Sequence, residues 1–259
     1  MRLSEIETPK IYSDPLYVQY KNQIDFALDK YINQKSAIYK GGSYVLNQLY
    51  WRDPMEFEKP RISQNTRNYY TLWMDSSEKW SHYPKRSRSI IASSSRSYAE
   101  DFGASLGVVV PTVDCAIGIC AGQDLWYSFY KTAGAGMTLD TFNSFIGAAL
   151  RISGQALKPT TVEQLKKSLA KIDLNDPKYE ELRDWGDLFY IAFKQGGLPQ
   201  LMDYVFDPAK NRFKLTTWKQ YKLIHTDNRE VWLNAPCVVV PISIWEQLAS
   251  LRHKESAGK

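Results

Sequence analysis

Three kinds of polar side chain stand at the ends of strand-like runs in this chain and could act together. A carboxylate, Glu230, opens the apolar run 230–233 after a polar turn. A guanidinium, Arg52, closes the run 44–52, and the hydroxyl groups of Ser93–Ser95 follow the short run 89–92. Buried neighbours fix the direction of a side chain at the end of a strand. The sequence therefore predicts a functional site in which these three groups face one cleft.

Composition sets broad limits on what such a site could serve. The chain has 259 residues, of which 44% are hydrophobic, so we expect a real core in one large domain or two small ones. The formal net charge is +5. That charge is compatible with an anionic small molecule, with nucleic acid, or with neither.

Cysteine, histidine and apolar patterning exclude several classes of protein. The cysteines Cys115, Cys120 and Cys237 lie in apolar, strand-like settings and are expected to be reduced core residues. The three histidines are scattered and no CxxC pair exists, so no metal site is expected. No run approaches the length of a membrane span, and no signal peptide opens the chain. A cytoplasmic setting is therefore expected.

The order of elements favours an α+β fold. Helical spacing covers 16–36, Gly41-Gly42 breaks that pattern, and 124–205 is helical almost throughout, with a helix start at 160–163. We expect residues 53–84 to form a long ordered loop with short helical pieces, and a helix to begin near Ser97 after the serines. Strands are expected on both sides of the helical region, over 44–52, 89–92, 108–111, 116–120, 213–215, 221–224, 230–233 and 238–242.

At these residues the chain resembles the Arg-Ser-Glu class of mono-ADP-ribosyltransferases. Leu49–Asp53 looks like the first-strand arginine motif of that family, and Ile90–Ser95 looks like its Ser-Thr-Ser strand. Asn228–Leu233 looks like its Glu-x-Glu or Gln-x-Glu turn and strand. The three motifs stand in the family's order, and the resemblance spans about 44–120 and 213–242.

The resemblance implies a fold and a substrate. It implies a pair of packed, mostly antiparallel sheets around an NAD cleft. All of 1–259 would be a single domain, with an N-terminal arm and helix over 1–43 and a helical insertion over 124–205. NAD would be the substrate, cleaved at the nicotinamide–ribose bond through a transition state with oxocarbenium character.

The same resemblance implies roles for individual residues. Glu230 would stabilise the developing positive charge near the ribose 2′-hydroxyl. Arg52 would clamp the pyrophosphate or ribose, because a guanidinium makes bidentate and always-charged contacts. Ser93 would orient Glu230, and Ser95 would bind the cofactor or cap the following helix. One of the aromatic residues Tyr69, Tyr70 and Trp73 in the long loop would cover the nicotinamide ring, and Tyr70 is taken as the cofactor-binding one.

The acceptor side of the reaction is implied by the segment before Glu230. Asn228 stands where the family has Glu or Gln, and an amide cannot act as a general base. An amide can still form hydrogen bonds, which would suit an Asn, Gln or nucleobase acceptor. Trp218 and Tyr221 lie in the place of the family's target-recognition turns, where they could contact a partner or pack in an edge strand.

The leading hypothesis is therefore a mono-ADP-ribosyltransferase that transfers ADP-ribose from NAD to a macromolecular acceptor, either a host protein or a nucleic acid. Its expected context is an effector, toxin or phage enzyme acting inside a cell, without a membrane partner. Two alternatives remain open. One is a catalytically inactive fold of this kind that serves as a binding or virion protein. The other is a nucleic-acid-binding protein, whose binding would weaken steeply with salt.

Overall fold

The secondary structure is taken from a computed structural model, which describes residues 10–45, 48–61, 68–134, 137–155, 158–222 and 227–257. The α-helices in these residues are α1 (Pro15–Gln34), α2 (Tyr69–Ser76), α3 (Arg96–Glu100), α4 (Tyr130–Ala133), α5 (Leu139–Ile152), α6 (Val162–Leu169), α7 (Asp187–Gln195), α8 (Leu198–Val205) and α9 (Ile242–Ala257). The strands are β1 (Tyr39–Gly42), β2 (Tyr50–Arg52), β3 (Ile90–Ser93), β4 (Ser105–Pro111), β5 (Ala116–Ile119), β6 (Lys214–Thr217), β7 (Glu230–Leu233) and β8 (Cys237–Pro241). Short 3-10 helices span Lys10–Ser13, Pro54–Glu56, Glu78–Trp80, Arg86–Arg88, Trp126–Phe129 and Pro177–Trp185.

The strands of the described residues join one antiparallel sheet in the order β2-β8-β4-β1-β3-β7-β5-β6. Strands from before and after the helical region are neighbours in it, so the α+β prediction is confirmed. The expected pair of packed sheets is a single sheet here. The early and late strands form one sheet because β4 pairs with β8. Both strands are apolar, and Val108–Val110 lie opposite Val238–Val240. These two buried strands join a strand from before the helical region to one from after it.

The chain divides into two compact units. The first contains the residues up to Phe57, Ser89–Ile117, and the residues from Thr216 onward. The second contains Glu58–Arg88 and Gly118–Leu215. Helices α1, α3 and α9 belong to the first unit, and α2 and α4 to α8 belong to the second. The helical unit is therefore larger than the insertion expected over 124–205, since it also takes in the segment that precedes β3.

Capping residues explain where the long helices begin. Helix α1 starts after Asp14, whose carboxylate accepts hydrogen bonds from the amides of Leu16 and Tyr17. It ends at Lys35, which adopts a left-handed conformation with φ 54°. Helix α6 starts after Thr161, whose hydroxyl accepts from the amide of Gln164. Both helix predictions, over 16–36 and from 160–163, are confirmed.

Three local predictions differ from the structure. The strand expected over 44–52 is limited to Tyr50–Arg52, and residues 46 and 47 lie outside the described part. Tyr221 and Lys222 have no regular structure, and the rest of that expected strand, 223–224, is also outside the described residues. The helix after the serines begins at Arg96. Its cap is Ser95 rather than Ser97, because the Ser95 hydroxyl accepts from the amide of Tyr98.

The Gly41-Gly42 pair, expected to break the helical pattern of 16–36, lies after the end of α1 and forms the last two residues of β1 in the middle of the sheet. A Cβ atom on Gly41 would lie 2.8 Å from the carbonyl carbon of Phe102 and closer still to the carbonyl oxygen of Ala99. A Cβ on Gly103 would meet the backbone of Gly42. These glycines therefore allow the backbone that follows α3 to pack directly on β1.

The cysteines are free thiols in the structure. Cys120 and Cys237 are buried, and burial raises the pKa of the partly exposed Cys115 to about 11. A thiol with so high a pKa stays protonated at neutral pH and is a poor nucleophile. Among the described residues, no helix combines the length and apolar character needed to cross a membrane.

Candidate active site on strands β3 and β7

Ser93 and Glu230 are direct cross-strand partners. Strands β3 and β7 run antiparallel with Ser93 opposite Glu230, Ala92 opposite Val231 and Ile91 opposite Trp232. Residues paired in this way project from the same face of a sheet, with Cβ atoms about 5 Å apart. Both side chains are buried, at 4% and 7% exposure. The structure thus brings together a hydroxyl and a carboxylate that are distant in sequence.

Backbone contacts of the serine triplet fasten the turn that leads into β7. The amide of Ser94 donates to the carbonyl oxygen of Arg229 over 2.9 Å, and the amide of Arg229 donates to the Ser94 hydroxyl over 2.8 Å. The Ser93 hydroxyl accepts from the amide of Ser95 over 3.0 Å. Ser95 itself is the helix cap, which favours its structural role. The middle serine, to which the sequence assigns no role, therefore holds the residue next to Glu230.

The Glu230 carboxylate is oriented by a residue that sequence reasoning missed. The indole Nε1 of Trp232 donates to Oε1 of Glu230 over 2.6 Å. Trp232 is 1% exposed and lies two positions along the same strand, so both side chains project from one face. A hydrogen bond to an ionised carboxylate is stronger than one between neutral groups. The signal in the sequence is the i, i+2 spacing of an acid and a tryptophan on one predicted strand.

Arg52 is not brought to this pair. It lies on β2, the edge strand, and β8, β4 and β1 stand between β2 and β3. Four strand spacings amount to roughly 19 Å along the sheet. Its side chain is exposed. The predicted convergence of Arg52 with Ser93 and Glu230 is therefore corrected: the run that carries Arg52 pairs with β8, and β1 occupies the position beside β3.

A different guanidinium, that of Arg96, acts on the side chain of a strand partner of Ser93. Tyr39 on β1 is the cross-strand partner of Ser93, and burial raises its pKa to about 12. The Tyr31 hydroxyl adds to this rise, and the positive charge of Arg96 opposes it. Arg96 is the first residue of α3 and forms ion pairs with Glu246 at 2.7 Å and Glu100 at 3.2 Å. Its charge therefore acts on the hydroxyl of Tyr39, a residue whose strand position pairs with that of Ser93.

Strand β1 also carries a cation, Lys40, whose side chain projects in a different direction from that of Tyr39. Its ammonium donates to the carbonyl oxygen of Ile91 over 3.2 Å. It follows Tyr39, the partner of Ser93, and successive side chains of a strand project from opposite faces. Strand alternation therefore directs Lys40 away from the face that carries Ser93 and Glu230.

The aromatic residues predicted to contact ligands are buried instead. Tyr70 belongs to the second unit, where its ring is 2% exposed and packs near those of Trp126 and Phe206. Trp218 and Tyr221 are 4% and 0% exposed, so neither ring can lie against an acceptor surface. The expected nicotinamide and acceptor contacts of these side chains are corrected to packing roles. Large aromatic rings are often buried because removing their apolar surface from water is favourable.

Asn228 has a backbone conformation that limits which residue can stand there. Its φ is 40°, in the left-handed region, and its side chain is partly exposed. Asn enters this region more readily than most residues that carry a Cβ. The turn directly before Glu230 thus depends on a residue that tolerates positive φ.

Comparisons with known proteins do not assign this chain to a family. The chain matches no protein-family model, no curated protein and no solved structure. Within the part of the chain that the structure describes, no group of three or more His, Cys, Asp or Glu side chains could hold a metal ion. On this face of the sheet, a buried carboxylate oriented by an indole lies beside a serine.

The contact between Trp232 and Glu230 gives a prediction. Trp232→Phe removes the indole donor and keeps an aromatic ring. For the NAD cleavage that the sequence resemblance implies, we expect kcat to fall by about tenfold with KM for NAD nearly unchanged. The reason is that one hydrogen bond to a charged group contributes about 1.5–3 kcal/mol. Trp245→Phe is the control, because it makes the same change at an equally buried indole on α9. Equal effects of the two variants on kcat would show that Trp232 acts only through packing.

Proposed function

We propose that the chain is a mono-ADP-ribosyltransferase that cleaves NAD and transfers ADP-ribose to a macromolecular acceptor, a protein or a nucleic acid. The observation that carries the proposal is the pairing of Ser93 with Glu230 at the adjoining ends of β3 and β7. The contact of Trp232 with the same carboxylate supports it, because it fixes the direction of the acid. The expected setting is inside a cell, as an effector, toxin or phage enzyme.

The chemistry follows from placing a carboxylate next to a sugar. The bond from ribose C1′ to the nicotinamide nitrogen breaks, and nicotinamide leaves with the electron pair. The ribose becomes an oxocarbenium-like cation, which Glu230 stabilises through the 2′-hydroxyl. A nucleophile of the acceptor, or water, then forms a bond to C1′ and loses its proton. Ser93 lines the same face and limits the positions open to the carboxylate.

The anionic pyrophosphate of NAD requires a cation, and Arg96 suits that role better than Arg52. Its charge acts on Tyr39, the strand neighbour of Ser93, whereas Arg52 lies four strand spacings from β3. The side chain of Arg96 is 45% exposed, so it can exchange one carboxylate partner for a phosphate oxygen. A guanidinium has five N–H donors, which allows several such contacts at once.

A matched pair of variants tests this choice. We expect Arg96→Gln to raise KM for NAD by about tenfold, because one charge-assisted contact of about 1.5 kcal/mol is lost. Arg52→Gln is expected to leave KM within about twofold of wild type. The ion pairs of Arg96 with Glu100 and Glu246 are exposed, so their loss should change stability little. A larger rise in KM for Arg52→Gln would restore the role expected from the sequence.

The direct test of the proposed function uses NAD labelled in its adenylate moiety, incubated with the protein and a cell lysate. Label should move into macromolecules, and nicotinamide should form slowly without lysate. Nuclease and protease digestion of the labelled product then separate a nucleic-acid acceptor from a protein acceptor. No label transfer and no nicotinamide release by the wild type would overturn the proposal.

Two observations favour a second candidate, an inactive fold that serves as a binding or structural module. Glu230 is only 7% exposed, and the guanidinium expected beside it lies at the edge of the sheet. Thermal unfolding with and without NAD separates the candidates. A site that binds NAD should raise Tm with NAD concentration, whereas a degraded site should give no shift.

A further inference from the structure

The net positive charge of the chain is confined to the second compact unit. The first unit contains 14 Lys and Arg residues and 14 Asp and Glu residues, whereas the second contains 19 and 14. Within the second unit, the stretch 58–88 has seven basic residues against three acidic ones. The Ser93–Glu230 pair lies in the neutral unit, so the proposed reaction does not account for this charge. An excess of basic residues in one unit attracts polyanions to that unit.

Backbone contacts bring four of these basic residues together. The amide of Arg61 donates to the carbonyl oxygen of Ser87 over 2.8 Å, which places Arg61 beside the 3-10 helix that contains Ser87. The amide of Arg88 donates to the carbonyl oxygen of Lys85 over 3.0 Å. We name Arg61, Lys85, Arg86 and Arg88 the basic cluster. Arg61 and Lys85 are exposed, and Arg88 is half-buried. Basic residues from two segments of the chain are therefore neighbours.

An acid beside the basic cluster is engaged by the backbone. One carboxylate oxygen of Asp75 accepts from the amide of Arg86 over 2.8 Å, and the other accepts from the amide of Ser87 over 3.1 Å. Burial raises the pKa of Asp75, although the hydrogen bonds from Ser87 and Arg86 and the charge of Lys85 oppose this rise. Asp75 thus holds the turn that carries the basic cluster, and its carboxylate balances only one of the four positive charges.

Arg86 is the buried member of the basic cluster, at 8% exposure. Its guanidinium carbon lies 5.8 Å from the ring centre of Tyr70, a residue that is 2% exposed. A guanidinium at this distance from an aromatic ring is stabilised by a cation–π interaction. The positive charge of Arg86 persists despite burial, because arginine is not deprotonated in proteins. The basic cluster therefore keeps a permanent buried charge beside its exposed members.

Aromatic side chains accompany the basic cluster in the sequence. His82 is exposed and Tyr83 is half-buried, and they stand three and two positions before Lys85. The Tyr83 hydroxyl donates to the carbonyl oxygen of Phe213 over 3.2 Å, and its ring centre lies 4.9 Å from that of Trp80. These contacts fix the segment that presents the His82 ring to solvent. Cations next to aromatic rings suit single-stranded nucleic acid, whose phosphates attract the cations and whose unpaired bases stack on the rings.

We propose that the basic cluster binds single-stranded nucleic acid, with Arg61, Lys85 and Arg88 on successive phosphates and His82 stacked on a base. Guanidinium groups suit phosphates because their donors form a planar fork that makes bidentate contacts. Arg86 is a positioning residue that adds its charge from within the unit. A duplex keeps its bases stacked on one another, so it offers phosphates without a base for His82. The inference is independent of the transferase function, since it concerns the second unit and requires no NAD.

The test measures the fluorescence anisotropy of a labelled, mixed-sequence single strand titrated with the full chain at several salt concentrations. The variant Arg61→Gln/Lys85→Gln removes two exposed cations of the basic cluster. Lys167→Gln/Lys171→Gln is the control, because it removes two exposed cations of the same unit. We expect the cluster variant to bind at least about tenfold more weakly than wild type, since two charge-assisted contacts are lost. The control should stay within about twofold of wild type.

The salt dependence gives a second readout of the same contacts. Each phosphate contact on a single strand contributes about 0.7 to the slope of log affinity against log salt, so the slope of the cluster variant should become shallower by about 1.4. His82→Ala should weaken binding by about fivefold or more without changing this slope, because stacking releases no counterions. An unlabelled duplex should compete less well than the unlabelled single strand.

Several results would contradict the proposal. Equal losses in the cluster and control variants would show that only the charge of the unit matters, and would overturn the site. A wild type that does not bind the strand at low salt would overturn the proposal whatever its activity toward NAD. Equal competition by the duplex would overturn the preference for single strands. Binding to vesicles of phosphatidylserine and phosphatidylcholine, without binding to the strand, would assign the basic cluster to an anionic lipid surface instead.

Discussion

Replacing Glu230 with Gln is expected to reduce NAD cleavage by about 10²–10³-fold, with little change in the affinity for NAD. Removing one group that stabilises developing charge in a desolvated site has effects of this size. The amide keeps the shape of the side chain, and its oxygen can still accept from Trp232. Loss of activity would therefore reflect the missing negative charge. The measurement is kcat for nicotinamide release, together with Tm for the variant and the wild type.

Glu246→Gln provides the matched control. Glu246 is an acid of α9 in the same unit, and its ion pair with Arg96 is about half exposed. This variant removes an equal charge from the unit, and activity within about threefold of wild type is expected because exposed ion pairs contribute little. Should Glu230→Gln release nicotinamide at the wild-type rate, the carboxylate has no part in the reaction and the site must be sought elsewhere.

Replacing Gly41 with Ala is expected to destabilise the first unit by about 1–3 kcal/mol or more, the range for overpacked interiors. The added methyl group would meet the backbone in the last turn of α3 and just after it, at Ala99 and Phe102. A backbone cannot rotate away as a flexible side chain can, so β1 or the end of α3 must shift. Urea unfolding followed by tryptophan fluorescence should show a lower midpoint with a similar slope.

Ser43→Ala is the comparison for this stability measurement, because Ser43 is exposed and directly follows β1. Its midpoint should remain within the error of wild type. A Gly41→Ala midpoint equal to that of wild type would mean that the backbone near Ala99 and Phe102 does not pack against β1 as the structure has it. Because β1 lies beside β3, the destabilised variant should also lose NAD cleavage at temperatures where it remains folded.

Local signals in the sequence predicted several elements well, because the physics behind them is local. The cap at Asp14 and the apolar periodicity define α1, and Thr161 defines the start of α6. The acid at the start of β7 and the serines at the end of β3 were also placed on the correct kinds of element. Each depends on neighbours within about one helical turn or one short strand.

The prediction about Arg52 fell short because strand order is not a local property. Nothing in the run 44–52 states that it will pair with β8 at the edge of the sheet. Gly41 and Gly42 follow the end of the helix as predicted, but only the fold shows that their missing side chains permit close packing of the backbone around α3 on β1. The partner of the carboxylate was missed for a related reason. A buried tryptophan is expected in any core, and only the paired register shows that its Nε1 reaches Glu230.

In the proposed transferase, the positive φ of Asn228 connects the choice of acceptor to the backbone conformation of the turn before Glu230. A longer acid at this position would do more than add a proton acceptor, because a side chain of that kind resists the left-handed region by about 1 kcal/mol. In the proposed transferase, replacing Asn228 with the Glu of the resembled family would thus require remodelling of the turn as well as a new functional group. Acceptor selectivity would then depend partly on backbone torsion angles, and a screen that varies position 228 alone would test only part of it.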